Sequence, residues 1–271
     1  MSGPGRGAWA ARGFAERAWL VAVVAVLWEL VTRAVDDVYY PPPTTIAKAL
    51  HEMWFSGPAS QAFLTGEAVD DFSTSLAHLF IGWAAAGVAG VAVGTAIGRS
   101  RILYELLNPV LEFLRAVPPP TLVPFFIIVF HLGATMQVVT IAFGVVWPVV
   151  LNTCDGVRAV DALQLDTARV FGIGRARRLA VVVLPAAAPK IFAGLRVALS
   201  LALILMVISE LFGSTVGIGS RLVGAQRAFE PDPMWAAIVM LGVLGLLFNA
   251  VFLVLERRLL SWHTGAQRLA E

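Results

Sequence analysis

Residues 234–255 read MWAAIVMLGVLGLLFNAVFLVL, a run with no charged side chain and a single amide, Asn249. A bilayer core of about 30 Å is crossed by a helix of roughly 20 apolar residues. Inside it only a helix or a closed barrel satisfies its own backbone. The same length test picks out six segments in all, near 18–35, 74–98, 117–132, 135–153, 190–213 and 234–255. The segment 117–132 is short, opened by Pro118, Pro119 and Pro120 with Pro124 inside, and Trp147-Pro148 predicts a kink in the next one. Across 271 residues, 58% are hydrophobic and 14% charged, and the mean hydropathy is +0.80. A soluble domain of this length needs more polar surface than that. The expected fold is therefore an all-α membrane protein of about six transmembrane helices. A secretory leader would suit Arg6, Arg12 and Arg17, but the run that follows is long for one and no A-x-A site ends it. It reads as a retained first helix, with a tail at 1–17, a membrane body at 18–263 and a second tail at 264–271.

Charge sets the expected orientation. With the N-terminus in the cytoplasm, 16 of the 20 lysines and arginines fall on the inner side. They are spread over four separate loops, which makes no nucleic-acid footprint. Only Arg33, Lys48, Arg221 and Arg227 remain outside. The outer stretch 36–73 is acidic, with Asp36, Asp37, Glu52, Glu67, Asp70 and Asp71. In it Pro41-Pro42-Pro43 followed by Thr44 predicts a helix start, and Ile46, Leu50, Met53 and Trp54 share one face. That face suits either packing on the rim of the bundle or docking of a partner.

Absent motifs narrow the function. A phosphate-binding Walker loop needs a lysine after glycine, but Lys48 follows Ala47 and Lys190 follows Pro189. Cys154 is the single cysteine, so neither a disulfide nor a cysteine metal cluster forms within the chain. Four histidines scattered over both sides supply no catalytic set. An ion-coupled carrier would bury charges near the midplane. Here Glu29 stands four residues before Arg33, the spacing of a helical ion pair. Glu210 lies about 21 Å beyond Arg196 along its helix, in the outer third of the membrane. It reads as an outer gate or as an interfacial carboxylate, beside glycines 217, 219 and 224, which read as a flexible loop. Gly82, Ala86, Gly90, Gly94 and Gly98 recur every four residues, a small-residue ridge for close helix packing or for a dimer seam.

The inner loop 155–189 is the most informative stretch. Val160, Leu163, Thr167 or Ala168, and Val170-Phe171 form an apolar stripe, Gly172 and Gly174 stop the helix, and Arg175, Arg177 and Arg178 follow. Such an element suits docking to a soluble partner or lying on the anionic inner leaflet. Its wording then reaches a family. ATP-binding-cassette importer permeases carry E-A-A, three residues, G, nine residues, I-x-L-P. This chain has Asp166-Thr167-Ala168, Gly172, Val182 and Leu184-Pro185 at each matching spacing, with Asp for Glu, Thr for Ala and Val for Ile. Flanking stretches, among them Trp28-Glu29-Leu30, Leu114-Arg115-Ala116-Val117-Pro118-Pro119 and Glu256-Arg257-Arg258-Leu259-Leu260, are similar to those of permeases for nitrate, alkanesulfonate and taurine.

The resemblance spans about residues 18–263 and implies a type I importer permease fold with a cytoplasmic coupling helix. It implies a non-catalytic translocation subunit of the cell inner membrane with both termini cytoplasmic. Asp166, Thr167, Ala168, Phe171 and Gly172 would then engage a separate ATPase, which would hold the ATP and magnesium, leaving this chain without a cofactor. By the same resemblance a second permease copy, identical in sequence, and an external solute-binding protein would complete the complex. An ion-coupled secondary transporter is the rival reading, and an intramembrane enzyme a more distant one. A cysteine introduced between residues 40 and 70 is expected to react with an impermeant maleimide in intact cells, while native Cys154 stays silent. Labelling only after the cells are opened would reverse the orientation.

Overall fold

The structure, a computed structural model, describes residues 6–212 and 214–261, with side chains from Trp19 onward. The tail at 264–271, His263 and Arg268 lie outside the described residues, and Arg6, Arg12 and Arg17 lie outside the described side chains. Every regular element among the described residues is helical. The α-helices are α1 Arg6–Val35, α2 Pro43–Trp54, α3 Gly66–Arg99, α4 Arg101–Ala116, α5 Val123–Phe130, α6 Ala134–Arg158, α7 Ala162–Val170, α8 Arg175–Arg178, α9 Leu184–Leu211, α10 Ile218–Ala228 and α11 Pro231–Leu259.

Among the described residues, four stretches are long and apolar enough to cross a membrane: Ala59–Arg99, Ala134–Arg158, Arg175–Leu211 and Pro231–Leu259. A fifth exists only if the pair Arg101–Ala116 and Pro119–Phe130, bent by 83°, counts as one span. The expected third helix over 117–132 is thus corrected. Pro118, Pro119 and Pro120 have no backbone N–H to extend a helix through them, and the eight residues of α5 reach only about 12 Å. The expected first span, 18–35, is helical within α1 but begins ahead of the described side chains.

The chain divides into two compact units: the described residues up to Val69 with Arg221–Met240, and Asp70–Ser220 with those from Leu241 on. In the first, Glu29 and Arg33 form the expected ion pair at 2.6 Å. Glu29 also accepts from the backbone N–H of Thr44 at 3.0 Å and from its hydroxyl at 2.7 Å. No side chain of α2 itself caps that helix, so a carboxylate from α1 meets its exposed N–H groups instead. Ile46 and Trp54 are buried, so the apolar face of α2 is used in packing. The indole of Trp235 donates to the carbonyl of Tyr39 at 2.9 Å and sits edge-on to Trp28.

The second unit is organised around α6. On one side lies the small-residue ridge of α3. A Cβ added at Gly82 would lie 2.8 Å from Ile141 Cβ, one at Gly90 2.7 Å from Val149 Cβ, and one at Gly94 2.5 Å from the carbonyl oxygen of Val150. At Gly98 it would lie 2.9 Å from the carbonyl of Cys154. Both residue series rise together, so α3 and α6 run parallel. On the other side α9 runs antiparallel, with Gly194 against Pro148 and Asn152, and Gly156 against Ala187 and Lys190. Leu79, Ile141, Val145, Val149, Ala198 and Met206 fill the core between these helices. Contacts within the unit join residues that the charge pattern assigns to the same membrane side: Arg196 pairs with Glu256, and Arg158 stacks over Tyr104 at 3.6 Å. Cys154 is itself buried, so its silence toward a maleimide reports packing as well as sidedness, and the introduced cysteine carries the topology test.

Gly90→Leu and Gly94→Leu are each expected to destabilise the fold, by about 1–3 kcal/mol for forced overpacking. Gly94 is the more sensitive because its nearest neighbour is backbone. Gly242→Ala, which meets no atom within 4 Å, is expected to leave the melting temperature unchanged. Thermal melts of the purified proteins check this, and wild-type stability of both leucine variants would rule out the close approach.

Candidate functional site

Two places concentrate the polar chemistry of the second unit. The first is the loop between α6 and α9. Asp161 starts α7, its carboxylate accepting from the N–H of Leu163 at 2.9 Å. The helix stops at Gly172, whose φ of +69° lies in the left-handed region. Gly172 N–H donates to the carbonyl of Arg169 at 2.9 Å and Ile173 N–H to that of Ala168 at 3.0 Å. These are the paired bonds of a glycine-terminated helix. No atom lies within 4 Å of a Cβ added at Gly172, so the backbone angle alone selects glycine.

Ala168 is buried, while Leu163 is 71% exposed, Val170 85% and Phe171 78%. The exposed part of the apolar stripe, Leu163, Val170 and Phe171, therefore turns away from its own bundle, while Ala168 is buried and Val160 packs against the cluster of Val157, Val183 and Ala187. Leu163, Thr167, Phe171, Val181 and Pro185 line a shallow apolar groove. Thr167 bonds back to the carbonyl of Leu163 at 2.7 Å. Asp166 is exposed and paired with Arg169 on the same helix.

Beyond Gly174, α8 enters a π-turn, Leu179–Val183, in which the N–H of Leu184 donates to the carbonyl of Leu179, five residues back. Pro185 stands just after it without an N–H to give. From Arg175 to Leu211 the helical path is continuous.

The second place is Glu210, near the far end of α9 and 1% exposed. It accepts a hydrogen bond from the hydroxyl of Ser75 at 2.6 Å and another from the N–H of Gly219 at 2.7 Å. Ser75 in turn accepts from the N–H of Ile218 at 3.0 Å, and Asp71 accepts from that of Gly217 at 3.0 Å. Three successive N–H groups opening α10 thus find three side-chain acceptors, two of them carboxylates favoured by the positive end of the helix. A Cβ at Gly217 would lie 2.6 Å from the Glu210 carboxyl carbon, and one at Gly219 2.9 Å from its Oε2. The expected flexible glycine loop is corrected. Gly217 and Gly219 are held against a buried carboxylate because any side chain there would displace it, whereas Gly224 faces open space.

Glu210 stands out in the sequence as an acid in an apolar run, whereas Ser75 does not. Their separation of 135 residues hides the pairing, and within the polar stretch Asp70-Asp71-Phe72-Ser73-Thr74-Ser75 no local signal marks Ser75 out. A third feature is a cavity of about 430 Å³ between the bent α4–α5 segment, α6 and α9, with Arg115, Trp147 and Asn152 on its wall. Arg115 also pairs with Glu112.

Comparison with known proteins agrees with this architecture. The chain is 30% identical over 246 residues to a putative aliphatic sulfonates transport permease protein of Bacillus subtilis (strain 168), covering 90% of this chain and 86% of that one. It is 29% identical to the taurine transport system permease protein of Escherichia coli (strain K12), covering 92% of this chain and 89% of that one. A nitrate import permease protein of Leptolyngbya laminosa is 32% identical over 66% of this chain and 64% of its own. Among solved structures, a chain of the inward-facing MetNI methionine ABC transporter superposes with a TM-score of 0.62 at 17% identity, over 69% of this chain and 94% of that one. The fold is that of a type I ABC importer permease. Residues 86–261 match the family described as the inner membrane component of binding-protein-dependent transport systems, and the chain belongs to that family.

Proposed function

We infer that this chain is the membrane-spanning subunit of an ATP-driven importer for a small anion such as a sulfonate, taurine or nitrate. It acts as a homodimer with both termini in the cytoplasm, receives cargo from an external solute-binding protein and passes the ATPase's motion to its spans through α7. ATP and magnesium stay on the ATPase, which is a separate chain.

The observation that carries this reading is the exposure of Leu163, Val170 and Phe171 on a helix closed at both ends. Three large apolar side chains facing water on a short, well-terminated helix suit a groove in a soluble partner. The helix also suits the task mechanically. It follows α6 after three residues and leads through a continuous helical path into α9, so a push on α7 is delivered to both. Use of Glu210 in tying down α10 argues against a proton relay there. The family membership and the named cargo of the relatives support an anion-import role.

The test is a reconstituted complex of permease, ATPase and loaded binding protein. Phe171→Asp is expected to abolish substrate-stimulated ATP hydrolysis and uptake while leaving the permease's melting temperature unchanged, because the ring makes little contact with its own chain. Gly172→Val is expected to abolish both as well, and its cost of about 1–2 kcal/mol at the left-handed position lowers the melting temperature. Asp166→Lys places a like charge beside Arg169 and is expected to lose coupling as well. Wild-type coupling in all three variants would remove α7 from the ATPase interface.

A further inference from the structure

A second cup opens at the basic end of the spans. Its volume is about 410 Å³ and five arginines line it: Arg99 at the end of α3, Arg101 opening α4, Arg158 ending α6, Arg169 on α7 and Arg178 on α8. Its floor is apolar, formed by the buried Val157 and Val183 with Leu165. Three of the five arginines have company. Arg101 pairs with Glu105, Arg169 with Asp166, and Arg158 lies over the Tyr104 ring. Both ion pairs are exposed and therefore weak. Arg99 and Arg178 have no acidic partner among the described residues. Like charges from five elements converge on one cup, the two exposed ion pairs relieve their repulsion only in part, and an entering anion would relieve it further.

We propose that this cup binds a phosphate-type oxyanion, presented by an anionic lipid headgroup or free in solution. Guanidinium groups present paired N–H donors that match phosphate oxygens two at a time. Basic pockets at the ends of spans sit at the depth of anionic headgroups. An apolar floor beneath a charged rim suits an amphiphile. The consequence is mechanical. Arg169 and Arg178 belong to the coupling loop, whereas Arg99, Arg101 and Arg158 belong to helix ends of the bundle, so one bound phosphate would tie α7 and α8 to α3, α4 and α6. Nothing in the importer reading requires this site, and it stands or falls separately.

Native mass spectrometry of the purified full-length chain reads it out, with phosphatidylglycerol and phosphatidylcholine of identical acyl chains as probes and inorganic phosphate as competitor. Wild type is expected to retain phosphatidylglycerol in preference to phosphatidylcholine. R99Q/R178Q is expected to lose about twentyfold of that preference, at roughly fivefold for each arginine near an anionic surface. R177Q, on α8 but off the cup, is expected to keep it. Should the double variant not purify as a folded protein, R99Q alone, at an exposed position, reads the same loss at about fivefold. Displacement of the lipid by inorganic phosphate in wild type assigns the site to phosphate in general, while retention against it assigns the site to the lipid headgroup. Equal retention of both lipids by wild type together with no effect of phosphate overturns the proposal. So does a loss in R177Q as large as in R99Q/R178Q.

Discussion

Valine and leucine side chains already surrounded by hydrocarbon gain little by meeting one another, so helices in a membrane hold together where their backbones come close. That constraint is met twice on α6. Gly82, Gly90, Gly94 and Gly98 bring α3 against one side of it, and Gly156 and Gly194 bring it against α9 on the other. At Gly94 and Gly98 the nearest atoms include backbone carbonyls, which cannot rotate aside as a side chain can. The α3–α6–α9 layer therefore has little freedom to slide, and displacement of α6 or α9 is shared by the others. α7 hangs from the end of α6 and leads back to α9. α7 is thus attached to a stiff part of its unit.

Helix ends pose the opposite problem, because their N–H groups have no partner in the helix itself. This chain meets it with acids borrowed from elsewhere in sequence. Glu29 of α1 receives the N–H of Thr44 at the start of α2, and Glu210 of α9 receives that of Gly219 at the start of α10. An isolated carboxylate in such surroundings would be costly. Here it is offset by two or more hydrogen bonds and by the positive end of a helix. The glycines at 217 and 219 are part of that arrangement, since the backbone has to come within contact distance of the carboxylate.

Long-range periodic signals were legible in the sequence and local exceptions less so. The ridge from Gly82 to Gly98 and the long apolar runs could be read because each repeats one physical requirement over many residues. Gly172 could be read because the arrest of an amphipathic helix by glycine has a backbone cause. Hydropathy reads 117–132 as one straight helix because it counts side chains, whereas three successive prolines act on the backbone and leave Pro119–Phe130 as one arm of a bent pair. The glycines at 217 and 219 were misread as slack because glycine marks both mobility and close approach. Only the partner, Glu210, separates the two, and its arrival across a loop is invisible to a local pattern. The basic cup was hidden for a similar reason. Its five arginines are spread from 99 to 178, and in the sequence each is legible only as an orientation signal of its own loop.

The departures of the α7 segment from the importer signature follow a physical line. Where the backbone dictates the residue, the chain keeps it. Gly172 occupies a left-handed φ, Ala168 is buried, and Pro185, which has no N–H, stands just after a π-turn. Where the chain differs, the backbone is indifferent. Asp166 is exposed and makes its own ion pair with Arg169, and Thr167 bonds back along the helix without altering its course. An element whose shape is kept while its exposed acid is shortened changes only the surface it presents. Differences in that surface are how one permease would be matched to its own ATPase rather than to another.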